Sequence, residues 1–185
     1  MALNVKEKIL LRGASLWCLG EGMLGPLFAV FANRMGGNIL DITWAWATYL
    51  IITGLASIGV GEIADKYSKE KLMISGYALN ALFTFSYLLV QTPLQLFLVQ
   101  AGLGVASAIA SPTWSALYAE HENRRQAGLT WGLADGDLKL VTGVAIIIGG
   151  LVVNYYSFET LFWVMGFVQV TATIYQARIL AFARG

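Results

Sequence analysis

The segment Gly61-Glu62-Ile63-Ala64-Asp65-Lys66-Tyr67-Ser68-Lys69-Glu70-Lys71 is a short charged stretch between two long apolar runs. The runs on either side, residues 42–64 and 72–89, are close to the roughly 20 residues that an α-helix needs to cross a bilayer. The segment therefore predicts a tight loop between two membrane-spanning helices. Its three lysines predict that the loop is cytoplasmic, because short cytoplasmic loops carry an excess of Lys and Arg.

The composition favours the same class of protein. Of the 185 residues, 57% are hydrophobic and only 12% are charged, whereas roughly a quarter of an ordinary soluble domain is charged. The net charge of +1 gives no indication of nucleic-acid binding. We expect an all-α membrane protein, with residues 1–185 forming a single domain of six transmembrane helices. The predicted spans are residues 10–31, 42–64, 72–89, 94–118, 133–153 and 161–180.

The distribution of basic residues predicts the orientation in the membrane. Basic side chains cluster at the amino end, in the loops after the second and fourth spans, and at the carboxy end, whereas the opposite side has only Arg34. This asymmetry predicts a multi-pass protein of the cell membrane with both termini in the cytoplasm. The basic residues of the predicted cytoplasmic side are Lys6, Lys8, Arg12, Lys66, Lys69, Lys71, Arg124, Arg125, Arg178 and Arg184.

Glu21 is the most informative residue inside a predicted span. It lies between Arg12 and Arg34, which at about 1.5 Å per residue places it near the middle of the bilayer. An acid at that depth costs about 2.5–3.5 kcal/mol on insertion scales and commonly marks a functional site. We expect Glu21 to couple proton and solute movement, with Trp17 one turn earlier on the same face. The alternatives are a structural carboxylate paired with a neighbouring cation, or an acid retained only for packing specificity.

Two other spans carry polar residues for which two interpretations stay open. In the fifth span, Lys139 either pairs with Asp135 one turn earlier or faces Glu21 or an anionic solute across a cavity. The fourth span presents a polar face that indicates either close helix packing or hydrogen bonding to a polar solute. The candidate site residues on that face are Gln100, Ser107, Ser111 and Trp114.

The charged loop resembles the signature loop between the second and third helices of transporters of the major facilitator superfamily. Gly61 and Asp65 fall where that loop has its glycine and its aspartate, whereas Ser68 replaces a usual glycine. The basic positions of the loop are filled by Lys66, Lys69 and Lys71. The resemblance implies that these residues take part in gating on the cytoplasmic side.

Two other motifs of this family occur in altered form. On the fourth span, Gln100 stands where the family has an arginine, the group to which proton handling is normally attached. On the fifth span, Ala145-Ile146 stand where the antiporter motif has Gly-Pro, although Gly143 and Gly149-Gly150 are present. The resemblance therefore favours antiport less than symport.

The family normally has twelve spans, so the resemblance identifies this chain as an amino-terminal six-helix half. Because the two halves of such a transporter share one orientation, two parallel copies of this chain would form a closed two-fold homodimer. The second and fifth spans would meet their counterparts, the first and fourth would line the cavity, and the third and sixth would face lipid. Asp65 would lie at the positive end of the partner's fifth span, and Asn80 and Gln169 would only bond between helices.

The residues and the resemblance together predict a secondary transporter for a small polar solute, either sugar-like or an organic metabolite. It would work by alternating access as a parallel homodimer in the lipid bilayer, coupled to protons through Glu21. The sequence has no P-loop, paired histidine ligands or Ser–His arrangement, so we expect no enzyme activity, metal or cofactor. Two alternatives remain: an accessory subunit that pairs with another half-transporter, or the amino-terminal half of a longer twelve-span protein.

Overall fold

The computed structural model describes residues 4–122 and 126–182, and these residues form seven α-helices. The all-α fold predicted from the sequence is confirmed. Three basic residues used for the orientation, Arg124, Arg125 and Arg184, lie outside the described residues. The helices are α1 (Val5–Gly22), α2 (Leu27–Arg34), α3 (Ile39–Ala64), α4 (Lys69–Ser86), α5 (Pro93–His121), α6 (Ala127–Tyr155) and α7 (Phe158–Gln176), and 3-10 turns at Tyr87–Leu89 and Ala177–Phe182 extend α4 and α7.

Reciprocal capping boxes mark where three of the helices begin. At each start, a polar side chain accepts a hydrogen bond from a backbone N–H in the first turn, and the side chain three residues later accepts one from the cap residue. These reciprocal bonds satisfy N–H groups that have no partner within the helix. The capping pairs are Asn4 with Glu7 in α1, Asn38 with Asp41 in α3, and Thr92 with Gln95 in α5.

Several of these helices are suited to a membrane. Within the described ranges, α3, α4 with its 3-10 turn, α5 and α6 are long and apolar enough to cross a bilayer, and the bent pair α1–α2 would make a fifth span. The sixth predicted span, residues 161–180, corresponds to α7 and its 3-10 turn, which are not among them. The protein is therefore a multi-pass membrane protein with four or five candidate spans.

The first predicted span is broken rather than continuous. Helix α1 ends at Gly22, and α2 begins at Leu27 with its axis turned by 43°. Pro26 explains the break, because proline has no N–H to donate to the carbonyl of Gly22 and its ring disfavours a continuous helix. The break places Glu21 in the last turn of a helix instead of in the middle of one.

The helices pack in two connected groups. Helix α1 lies against α6 and α7, α5 lies between α3 and α4, and α4 joins the groups by packing on α7. One hydrophobic core surrounds Phe31 and Phe162, and a second surrounds Tyr77 and Tyr118. Helices α3 and α6 expose most of their apolar surface, so this bundle leaves two long helices without a neighbour on one side.

A close backbone contact between α6 and the break in the first span predicts a difference between two adjacent glycines. A Cβ atom on Gly149 would lie 2.0 Å from the carbonyl oxygen of Met23, whereas one on Gly150 would meet nothing within 4 Å. Gly149→Ala should therefore lower the free energy of unfolding by about 1–3 kcal/mol. Gly150→Ala is the matched control and should leave it unchanged or raise it, because alanine favours a helix.

Thermal unfolding of the purified protein in detergent measures this difference. Equal midpoints for Gly149→Ala and Gly150→Ala would contradict the close packing of α6 against the break.

Candidate functional site

A cavity of about 90 Å³ lies beside the carboxyl group of Glu21. The last turn of α1, the break that follows it, and helices α3, α4, α5 and α7 all contribute to its walls. The lining is mostly aromatic and aliphatic, with a few polar groups. The lining residues are Glu21, Leu24, Trp46, Tyr49, Thr84, Tyr87, Gln100, Leu103 and Met165.

Two tyrosines bind the polar residues that α5 presents at this cavity. The hydroxyl of Tyr87 donates to Oε1 of Gln100 over 3.0 Å, and the hydroxyl of Tyr49 donates to Oγ of Ser107 over 3.2 Å. Gln100 is only 3% exposed. The structure therefore brings two of the predicted site residues, Glu21 and Gln100, to one cavity, and connects Ser107 to it through Tyr49.

The carboxyl group of Glu21 faces neutral groups. The indole of Trp17 and the side-chain amide of Asn80 are polar neighbours of it, and both are uncharged. The salt bridges of the described chain join Lys69 to Glu120 and Lys139 to Asp135, so neither of them involves Glu21. A carboxyl group in this setting has no cation from the described residues to compensate a negative charge.

Lys139 pairs with Asp135, which is one of the two arrangements expected from the sequence. Both side chains are largely exposed, at 73% for Lys139 and 67% for Asp135. The neighbouring Asp137 points elsewhere and accepts a hydrogen bond from Oγ of Ser15 on α1 over 2.5 Å. The pair therefore lies on an open face of α6 and not in the cavity beside Glu21.

A second cavity of about 170 Å³ contains the other predicted residues of α5. Ser111 and Trp114 line it together with Trp17 and Tyr77, whose rings meet edge to face at 4.5 Å. The indole N–H of Trp114 donates to the carbonyl of Leu10 over 3.0 Å. The polar face predicted on α5 is thus divided: Gln100 lies at the first cavity, and Ser111 and Trp114 lie at the second, which Trp17 also lines.

The charged loop between α3 and α4 is tied to the end of α5. Lys69 forms an ion pair with Glu120, and its hydrogen bond to that carboxylate raises the pKa of the lysine. Asp65 and Lys66 make no ion pair within the described chain. The position of Gly61 is open, because a Cβ atom there would meet nothing within 4 Å. Lys71 lies in the first turn of α4.

Ser68 has a local role that accounts for its difference from the usual glycine. Its Oγ accepts a hydrogen bond from the backbone N–H of Lys71, so Ser68 is the N-cap of α4. Serine is among the preferred residues at this position because its oxygen satisfies an unpaired N–H of the first turn. The exchange therefore fixes the start of α4 without altering the charges of the loop.

Three residues near the site were missed by the sequence analysis. Tyr49 and Tyr87 were not considered, and Asn80 was assigned only to contacts between helices. In the structure, Asn80 is fully buried beside Glu21. A signal was present, because the residues of α4 and its 3-10 turn that face inward recur at helical spacing. They are Tyr77, Asn80, Thr84 and Tyr87.

Comparison with known proteins identifies relatives of this chain. The sequence model of the Major Facilitator Superfamily matches residues 11–184. An uncharacterised MFS-type transporter of Methanocaldococcus jannaschii is 26% identical over 156 residues, which cover 84% of this chain and 40% of that protein.

Two proteins called multidrug resistance protein MdtG are similar to the same extent. Those of Enterobacter lignolyticus and Salmonella schwarzengrund are each 25% identical over 163 residues, or 85% of this chain. The matched region is 38% of the first protein and 40% of the second. The chain therefore spans about two-fifths of the length of these curated relatives.

Proposed function

Because this chain belongs to the major facilitator superfamily, we propose that it carries a small polar solute across the cell membrane by alternating access. The observation that carries the proposal is the cavity at the break in the first span, where Glu21 meets side chains from α3, α4, α5 and α7. Binding sites near the middle of the bilayer, at discontinuous helices, are typical of secondary transporters.

We also propose that the chain crosses the membrane six times, with both termini in the cytoplasm. The pair α1–α2 would be one bent span, and α7 the sixth. The 19 residues of α7 extend about 28 Å at 1.5 Å per residue, close to the roughly 30 Å thickness of the hydrocarbon core. The lysines of the loop between α3 and α4 support a cytoplasmic position for that loop.

Glu21 would couple the solute to protons in a symport mechanism. Since no basic side chain of the described residues neutralises its carboxyl group, a proton or the solute must compensate the charge whenever the cavity closes to water. Protonation would allow the loaded site to change its exposure from one side of the membrane to the other. Trp17, which lines the second cavity and neighbours Glu21, would separate Glu21 from the cytoplasmic side in one of the two states of the transporter.

The exposed surface of α6 supports a second copy of this chain as the partner. One stripe of α6 is aliphatic and suits lipid, whereas the stripe beside it, which we call the glycine stripe, combines glycines with the Asp135–Lys139 pair. The aliphatic stripe comprises Leu129, Leu133, Leu140, Val144, Ile147 and Leu151. The glycine stripe comprises Gly128, Gly132, Asp135, Lys139, Gly143 and Gly150.

The glycine stripe is poorly suited to lipid. Ionisable groups within spans almost always face protein or a water-filled cavity, and glycines allow another helix to approach closely. The chain spans about two-fifths of its relatives' length, so a second copy would supply the missing half. If the natural partner is instead another half-transporter, or the remainder of a longer protein, the same stripe would face it.

Export of aromatic or amphipathic organic compounds is the second candidate function. Two relatives are called multidrug resistance proteins, and Trp46, Tyr49 and Tyr87 give the cavity beside Glu21 an aromatic wall. Aromatic faces bind apolar and cationic groups. A polar solute remains the first candidate because Glu21, Thr84 and Gln100 lie at the same cavity.

Cross-linking between cysteines tests the homodimer. In a Cys18→Ser background, Leu50→Cys on α3 and Gly143→Cys on α6 would lie on the faces expected to meet across two copies. A bismaleimide should join such chains into dimers. The matched control carries Ile51→Cys and Val144→Cys, one residue further on each helix, where exposed side chains point about 100° away from the first pair. Equal dimer yields from both pairs, or none from either, would contradict the proposed interface.

Proton movement in proteoliposomes tests the coupling. Solutes of different classes are added outside vesicles that contain a pH-sensitive dye, and we expect one class to drive proton entry through the wild-type protein. Glu21→Gln should abolish proton entry because an amide does not exchange a proton at neutral pH. Glu159→Gln, which removes an exposed acid at the start of α7, is the control and should behave as wild type. Unchanged proton entry through Glu21→Gln would show that Glu21 is not the coupling group.

A further inference from the structure

The side chain of Asn80 is buried without hydrogen bonds. It is 0% exposed, and neither its Nδ2 nor its Oδ1 has a hydrogen-bond partner among the described residues. The other buried amides each make at least one bond: Gln100 accepts from Tyr87, and Gln169 donates to the carbonyl of Trp17. An unpaired amide in the protein interior is costly, so the position of Asn80 requires an explanation beyond packing.

Asn80 lies on the face of α4 that points toward Glu21. One turn before it, Tyr77 packs edge to face on Trp17, and one turn after it, Thr84 lines the cavity that contains Glu21. The hydroxyl of Thr84 donates to the backbone carbonyl of Asn80 over 2.8 Å and so leaves the side-chain amide free. The amide is a neighbour of the carboxyl group of Glu21, although no hydrogen bond joins the two within the described residues.

An amide is a neutral side chain that can bind a carboxyl group in both of its protonation states. A carboxylate accepts hydrogen bonds, and the NH₂ group of Asn80 can donate one to it. A protonated carboxyl also donates through its O–H, and the Oδ1 atom of Asn80 can accept that bond. Because the amide carries no charge, it can hold the carboxyl group in place throughout proton exchange and leave the charge of the site unchanged.

We propose that Asn80 is a positioning residue for Glu21, whose amide alternates between donating to the carboxylate and accepting from the protonated carboxyl. The inference rests on the proposed coupling role of Glu21. It changes the assignment of α4, which then contributes to the coupling site and does not only support neighbouring helices. The exchange is balanced, because the proton that Glu21 gains or loses comes from or goes to the cavity and Asn80 neither gains nor loses one.

The other titratable side chains near Glu21 are thiol and hydroxyl groups. They are Cys18 on its own helix, Tyr49 on α3, Tyr77 on α4 and Tyr87 on the adjoining 3-10 turn. On α6, Asp137 acts on Cys18, and the salt bridges of the described chain do not involve Glu21. A carboxyl band that is lost in Glu21→Gln reports on Glu21, and its response to Asn80 can be measured separately.

Infrared difference spectroscopy of the purified full chain during a pH titration tests the proposal. A protonated carboxyl group has a C=O stretching band, and the band of Glu21 is identified by its loss in Glu21→Gln. In Asn80→Leu, this band should move to higher frequency, because the protonated carboxyl group loses the hydrogen bond that its O–H donates, and its pH midpoint should change. Gln176→Leu is the matched control: it removes another fully buried amide, which donates to Sδ of Met73 and not to Glu21, and should leave the band unchanged.

A second variant keeps the test decisive if Asn80→Leu does not fold. Asn80→Asp would place two carboxyl groups side by side, and these should titrate as a coupled pair in two steps. Independent single titrations in Asn80→Asp, or an unchanged band in Asn80→Leu, would overturn the role of Asn80 while leaving Glu21 as the coupling group. The absence of any titrating band that depends on Glu21 would overturn both this inference and the proposed coupling.

Discussion

A carboxyl group inside a candidate membrane span, the bent pair α1–α2, is the constraint that the rest of this structure reflects. An ionised acid within a membrane is costly unless protein groups, water or a bound cation compensate it. In this chain, Glu21 lies in the last turn of α1, next to the break that Pro26 imposes between α1 and α2. Because the end of a helix also carries the negative end of its dipole, the same place favours a positive partner.

The neighbouring helices are arranged around this break. Gly149 lets the backbone of α6 approach the carbonyl of Met23, while aromatic side chains close the space between α1 and α4. Polar groups of α5 are satisfied by the tyrosines of neighbouring elements. The charges that remain are placed elsewhere, with Lys69–Glu120 at the ends of α4 and α5, and Asp135–Lys139 on the open side of α6. This separation leaves the cavity with one acid and neutral surroundings.

Much of this architecture could be predicted from the sequence, because long apolar runs and a charged loop leave few alternatives. The family, the all-α fold and five of the helices followed from residues such as those between Gly61 and Lys71. Pro26 and the glycines before it indicate a loosened helix, but the complete break did not follow, since the apolar run continues through it and hydropathy does not register a missing N–H. Asn80 was expected only to bond between helices, whereas its side chain is buried without a hydrogen-bond partner among the described residues. Which face of a helix turns inward depends on packing that a single sequence does not contain.

We propose that this chain, which spans about two-fifths of the length of its relatives, forms a complete transport site by pairing with a second copy. Native mass spectrometry of the protein released from lipid nanodiscs counts the copies directly. We expect a particle containing two 20.1 kDa chains at concentrations at which transport is observed. A particle with a single chain under those conditions would contradict it, and would mean that the glycine stripe of α6 and the cavity beside Glu21 are completed by a different protein.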